Sequence, residues 1–471
     1  MNARAAQAPT GTGAGRRSRR AVLGAGAGLL AACGRADAPG PPAQPGGPRR
    51  VGTYTVRVQV WGDVRDRNIH DAILADYNAA HTDIAIENDH QDAAGSGGPA
   101  YYDALAARLA AGTASDLVYV QGWMWQEYAG KGALQPLDEL ASRDKWSTPW
   151  PADAAYDLQT TFRGKRYVSP SSTGTLLMYY VKEYFDRAGI AYPREGWTYT
   201  EFQDLCRRLT RQQDGKQVYA YQWNGGYLRN TPWWRMNNHL EWDRIAEPKK
   251  AVWNAGPVIE AYQYQLYDSQ YKLQMAPTQQ LLDADPAYNR LELGGVAMKV
   301  EGPWFLPRMW GPGAQREGGT AYDVQLLPRG KAARTPHMNL IEGQALTRQC
   351  KDKEAAWDVM KWIAGEKGQQ RVADGGRMCN VPEAIRKFWL PSVRLKYNVA
   401  NAEAFVKAIE GASINLASEV TENVLNRDAG LAQALSDVRS GKATPKDALD
   451  ASQPRIQQVL DSYWASQSTG R

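Results

Sequence analysis

Leu30-Ala31-Ala32-Cys33 closes a short apolar run, and a cysteine thiol in that setting accepts a diacylglyceryl group before the chain is cleaved ahead of it. Upstream, Ser18-Arg19-Arg20-Ala21-Val22-Leu23 resembles a twin-arginine export signal. In this order the two motifs predict export and then lipid anchoring, with residues 1–32 removed and Cys33 modified. The run from Ala21 to Ala32 is shorter than the about 20 apolar residues a membrane-spanning helix needs, so a signal segment fits better. Acyl chains contribute about 0.8 kcal/mol per buried CH₂, enough for a diacyl cysteine to hold a folded domain at a membrane surface. The alternative is an Arg/Ala/Gly tail without consequence.

Aromatic stacking is the second chemistry in the chain. There are 17 Trp and 24 Tyr against 6 Phe, so most rings carry a polar handle. Trp61, Trp123, Trp125, Trp223, Trp233, Trp234 and Trp304 fall near the ends of predicted strands. An indole face packs on the C–H face of a sugar ring while Asp, Glu, Asn and Arg groups bind its hydroxyls. For any one of these rings, a place in the core is the competing role.

Other chemistries find less support. His70, His81, His90, His239 and His337 are scattered without zinc spacing, so neither a catalytic metal nor a cofactor is expected. Asp89 and Asp92 around His90 lack calcium-loop spacing and read as a solvated turn. Asp283 and Asp285 could hydrolyse a glycoside only if they faced each other about 5 to 10 Å apart across a cleft; as near neighbours in a loop they cap or solvate. The glycines at 24, 26 and 28 lie inside the signal, and no phosphate-binding or nucleophile-elbow motif occurs elsewhere.

The formal charge of +6 comes mostly from Arg4, Arg16, Arg17, Arg19 and Arg20; without those five the mature chain carries +1. That balance argues against nucleic acid as a partner. Cys206, Cys350 and Cys379 remain after Cys33, an odd number. A Cys350–Cys379 bridge is open to an exported protein, and Cys206 reads as a buried helix thiol.

The elements that must position these groups follow from periodicity. Residues 34–50 are rich in Pro, Gly and Ala and read as a tether reaching on the order of 50 Å at about 3.1 Å per residue. Val56, Val58 and Val60 alternate as a strand ending at Trp61-Gly62-Asp63. Ile69, Ile73 and Tyr77 then recur at helical spacing, and Ile84 with Ile86 marks the next strand. Tyr102, Leu105, Ala106 and Leu109 form a helix stopped by Gly112, before a strand over 116–120. Strand, helix, strand, helix, strand implies a parallel α/β sheet, and the chain length favours two lobes. Thr198 and Glu201 make a capping box, and Asp352 starts a helix carrying Ala355, Val359, Trp362 and Ile363. The last third reads as mainly helical, with two closing helices opened by Thr444-Pro445 and Gln453-Pro454.

The order of segments resembles the extracellular solute-binding proteins of ABC importers, family 1, the sugar-binding receptors that include maltose-binding protein. The likeness is carried by residues 110–118 (Ala-Ala-Gly-Thr-Ala-Ser-Asp-Leu-Val) and 128–138 (Tyr-Ala-Gly-Lys-Gly-Ala-Leu-Gln-Pro-Leu-Asp). It continues through Gly164 to Pro170, Met178-Tyr179-Tyr180, Phe185 to Ile190, Gly294 to Met298, Glu301-Gly302-Pro303-Trp304 and Lys353 to Trp357. Val181, Ser115 and Gly174 depart from the pattern, Gly174 falling where maltose-binding protein places an acid.

The resemblance implies a two-lobed α/β fold of the type II periplasmic-binding-protein kind, with a hinge and closure over a solute. It implies a first lobe of 51–172 with 335–385 and a second of 173–334 with 386–471. It implies a non-enzymatic, monomeric, membrane-tethered receptor that delivers sugar to an ABC permease. Trp304 is the expected stacking platform. Asp63, Arg65, Gln121 and Trp123 are expected to face Trp223, Tyr227 and Trp233 across the cleft. Glu301 and Arg377 are weaker candidates, a surface ion pair being the competing role for each. The rival readings are a receptor for a charged solute such as glycerophosphate, a secreted carbohydrate hydrolase or lyase, and a structural surface lipoprotein.

Overall fold

The structure is a computed structural model that describes residues 54–92, 98–146, 154–213, 216–223, 226–285, 288, 290–331, 336–412, 415–417 and 419–468. The export signal, Cys33 and the tether lie outside the described residues. Among the described residues no helix is long and apolar enough to cross a membrane.

Strand β1 (Tyr54–Gly62) buries Val56, Val58 and Val60 completely, as the alternation predicts. It pairs in parallel with β2 (Ile84–Asp92) over nine residues, and with β3 (Leu117–Gln121) on its other side. Helix Val64–Ala80 makes the first crossover; Ile69, Ile73 and Tyr77 form its buried stripe, and Asp63 caps its start. Helix Gly98–Ala111 makes the second crossover. The strand over 84–92 corrects the expected solvated turn at Asp89–Asp92. Arg108 (2.9 Å) and the Ser115 hydroxyl (2.8 Å) satisfy the Asp89 carboxylate, so a polar segment can continue the sheet.

The same sheet takes in β4 (Leu134–Gln135), β7 (Val168–Ser172) and β13 (Glu342–Thr347), while β5 (Thr161–Phe162) and β6 (Lys165–Arg166) form a separate hairpin. Strand β13 runs antiparallel to both β3 and β7. A second sheet has the order β12 (Tyr322–Gln325), β8 (Leu177–Val181), β11 (Val296–Glu301), β10 (Lys216–Gln222) and β9 (Arg211–Gln213).

Three segments meet where the sheets join. The link from β7 to β8 pairs with the link from β12 to β13 through Gly174 N–H to Leu340 C=O (3.0 Å) and Leu340 N–H to Gly174 C=O (2.8 Å). Thr173 N–H donates to the Met378 carbonyl at 3.3 Å, which brings in the third segment. Gln159 ties this junction to its surroundings, accepting from Ile341 N–H and donating to the Asn339 carbonyl.

The Thr198 capping box and the Asp352 cap form as the sequence predicts, and Asp63 makes a second capping box that it did not. The two expected closing helices are instead one 24-residue helix, Pro445–Ser468, with Pro454 inside it. An internal proline costs about 3 kcal/mol. Leu449, Ile456 and Leu460, all fully buried, continue one face through it, and each such burial contributes about 1.5–3 kcal/mol. Cys206, Cys350 and Cys379 are free and buried, so no Cys350–Cys379 bridge forms. Cys350 packs in the cluster under the first sheet and Cys379 in the cluster against the second.

Candidate functional site

Parallel strands end with their carboxyl termini on one edge, which is where α/β sheets collect ligands. On the first sheet that edge holds Gly62, Gln121, Glu342 and Ser172, because Glu342 lies opposite both Gln121 and Ser172 in the register. On the second sheet Glu301 lies opposite Leu177, and β10 runs into Trp223 on the same edge. The chain passes from Ser172 to Leu177 in five steps. At about 3.6 Å per residue Ser172 and Leu177 are at most roughly 18 Å apart, so the two edges approach each other at this link.

The first edge is a network of charges. Arg377 Nε donates to Asp66 Oδ1 at 2.7 Å, and Arg377 Nη1 lies 3.4 Å from Glu342 Oε2. The Ser172 hydroxyl (3.1 Å) and Gln121 Nε2 (3.4 Å) donate to the two Glu342 oxygens. Asp66 also accepts from Asp63 N–H as the second half of the capping box, so the helix start is pinned to the edge. Burial works against the Asp66 charge, but Arg377 and Arg65 more than offset it and hold the carboxyl below its usual range. Arg377 is held charged in the same way, by Asp66 and Glu342 against the cost of burial.

The second edge is an acid and an indole. Glu301 is buried and accepts from Arg229 Nε (3.2 Å) and Nη2 (3.1 Å), from Trp304 Nε1 (3.0 Å) and from Lys299 Nζ (3.1 Å). Burial again opposes the charge, and Arg229 and Lys299 overcome it, leaving the carboxyl below its normal range. The half-buried Trp304 ring lies so close to two glycines that a Cβ on Gly302 would sit 2.3 Å from it and one on Gly174 3.1 Å. Gly174, a departure from the family pattern, therefore makes room for this indole at the junction.

Not all of the expected site residues lie open at these edges. Trp233 is a correction: its ring is buried 5.1 Å from Phe202 and 5.9 Å from Tyr221, inside the second lobe's aromatic core. Tyr227 is another, since its hydroxyl donates to Glu241 (2.5 Å) in a buried cluster with Trp234 and Arg235. Asp63 Oδ1 accepts from the backbone N–H groups of Arg65 and Asp66, donors that a helix start leaves without partners of its own. The half-buried Arg65 lies 3.9 Å from Asp63. Trp123 is buried, and Trp223 is buried with the Arg439 guanidinium 5.6 Å over its ring. Glu301 and Arg377 are not surface ion pairs: Glu301 is 6% and Arg377 17% exposed at the side chain.

Asp66, Ser172, Arg229, Lys299 and Glu342 went unpredicted. Glu342 had a signal, an acid leading the apolar run Ala345-Leu346; Arg229 had none.

Two sheets joined at a three-segment junction, with polar and aromatic groups on the edges beside it, define a two-lobed binding protein of the type II periplasmic class. Solved structures share this architecture. An ABC substrate-binding protein from Listeria monocytogenes in complex with cycloalternan aligns at TM-score 0.72 and 18% identity, covering 87% of this chain and 99% of that one. A maltose-bound protein of T. maritima aligns at 0.68 and 15%, covering 87% and 99%. A solute-binding protein from Thermotoga lettingae bound with α-D-tagatose aligns at 0.64 and 18%, covering 87% and 100%. Among curated proteins none matches. The chain belongs to the family of bacterial extracellular solute-binding proteins, whose description matches residues 64–370. That membership makes it a binding protein that works outside the cytoplasm.

Proposed function

We propose that this protein captures a neutral sugar or oligosaccharide between its lobes and passes it to an ABC permease, without making or breaking a bond in it. The observation that carries this reading is Trp304, a half-buried indole anchored by Glu301 on a shelf of two glycines, facing an edge rich in hydrogen-bonding groups. Neighbours of the same fold hold cycloalternan, maltose and tagatose. Trp304, Gln121 and Arg377 are the proposed contacts, supported by their positions on the two edges. The lobes are taken as 51–172 with 335–385, and 173–334 with 386–471. Export through the twin-arginine signal, lipid attachment at Cys33 and a monomeric state complete the proposal.

A charged solute is disfavoured because the cations at the edges are already engaged, Arg377 by two carboxylates and Arg229 with Lys299 by Glu301. A hydrolase is disfavoured because its general acid needs a raised pKa, whereas Asp66 and Glu301 are both held low. Asp283 accepts from Gln279 at the end of a short helix.

Thermal shift of the mature protein with maltose, mannobiose, D-tagatose and glycerophosphate tests this. A sugar at 100 times Kd adds about 2.7 kcal/mol of stability. Stabilisation by glycerophosphate alone, or release of a shorter product from an oligosaccharide, would overturn it.

A further inference from the structure

Glu301 cannot itself serve a guest. Its Oε2 is shared by Arg229 and Trp304 and its Oε1 is taken by Lys299, so its hydrogen-bonding capacity is spent inside the protein. The consequence is geometric. An indole N–H and a guanidinium tied to the same oxygen are fixed relative to one another, and the Arg229 Cζ lies 5.5 Å over the Trp304 ring. Arg229 points Nε and Nη2 at Glu301, which leaves Nη1 with no hydrogen-bond partner among the described residues. The side chain keeps 24% of its surface in solvent, beside the half-buried platform.

We propose that Arg229 is the specificity-determining residue on this side of the cleft, its Nη1 donating to a hydroxyl oxygen of the sugar that stacks on Trp304. The inference rests on the carbohydrate reading and sharpens it. A guanidinium donates and never accepts, so the matching sugar atom must be an acceptor. An ammonium at that carbon, as in an amino sugar, would meet like charge and lose the bond. Lysine cannot substitute, because a flexible ammonium lacks the planar fork that Glu301 holds. Glu301 is then a positioning residue acting through Arg229 and Trp304.

The test uses the mature full chain and calorimetric titration with whichever of maltose, mannobiose or D-tagatose binds most tightly, together with its monodeoxy and monoamino analogues. One deoxy analogue should bind wild type weaker by roughly ten- to a hundredfold, the size of a hydrogen bond to a charged group. The amino analogue at the same carbon should bind at least as poorly. In Arg229→Met the deoxy penalty should vanish, and Arg229→Lys should not restore it. An equal deoxy penalty in wild type and Arg229→Met overturns this inference and leaves the carbohydrate reading standing. A wild-type protein that binds none of the three sugars overturns both. If the variants fail to fold, the wild-type comparison decides: an amino analogue bound as well as the parent at every carbon refutes the assignment.

Discussion

The two sheet edges beside the junction are held together by different means. The first ties separate segments together through side chains: Asp66 at a helix start, Gln121 and Glu342 on adjacent strands, Ser172 before the junction and Arg377 from the third linking segment. The second keeps its partners local, with Lys299, Glu301 and Trp304 within one short stretch and Arg229 alone reaching in from helix Tyr227–Arg235. The named ionic groups also differ in balance. Asp63, Asp66 and Glu342 outnumber Arg65 and Arg377, whereas Arg229 and Lys299 outnumber Glu301. In each edge the carboxylates are partnered by cations of the protein itself, without a charged guest. One edge thus supplies a rigid polar wall and the other an oriented ring.

The largest test of that contrast is Glu301→Ala. It strands Arg229 and Lys299 in a buried setting, and removing one partner of a buried pair costs about 3–5 kcal/mol, read by denaturant unfolding. Glu342→Ala should cost less, because Arg377 keeps Asp66. Equal losses would erase the distinction.

Acid offers a second test, through the histidines rather than the edges. Burial lowers His70, behind the first edge, and His337, at the junction, each to about 4. The unfolded chain takes up these protons near pH 6.5 and the folded one does not. Their contribution is therefore complete above about 6.5 and is lost as pH falls towards 4, with a slope of at most about 1.4 kcal/mol per pH unit for each. Asp66 and Glu301, held low, should keep their charges through that window. His337→Gln should flatten the melting profile between pH 4 and 6.5 while leaving sugar affinity at pH 7 unchanged; an unaltered profile refutes the assignment.

Gly302→Ala should cost about 1–3 kcal/mol, as overpacking does, and should abolish sugar binding by displacing the indole. Gly174→Ala, with its milder 3.1 Å approach, should weaken binding less. The smallest effect belongs to the exposed pair Arg427 and Asp103 (2.9 Å), which joins the C-terminal helices to helix Gly98–Ala111. Removing either should change stability by less than about 1 kcal/mol, and salt should mask the difference.

Much of the scaffold was legible because it is local. The Val56, Val58, Val60 alternation, the caps at Thr198 and Asp352, and the Gly302-Pro303-Trp304 turn depend on neighbours within a few positions. Where sequence reasoning failed, a distant partner had overruled a local signal. The turn expected at Asp89 became strand because Arg108 and Ser115 met its charge. Pro454 stayed helical because a buried face ran through it. Trp233 and Tyr227 had the right chemistry but lay where Phe202 and Glu241 consumed it.

By itself the order of residues determined the strand and helix pattern, the family and the platform ring, since these follow from periodicity, capping and short motifs. Which charges would meet was decided only in three dimensions. Asp66 and Arg377 are 311 residues apart, and Arg229 is 72 from Glu301. No spacing rule links such positions; folding does, because a buried charge must find an opposite one, and the nearest is set by how the segments cross.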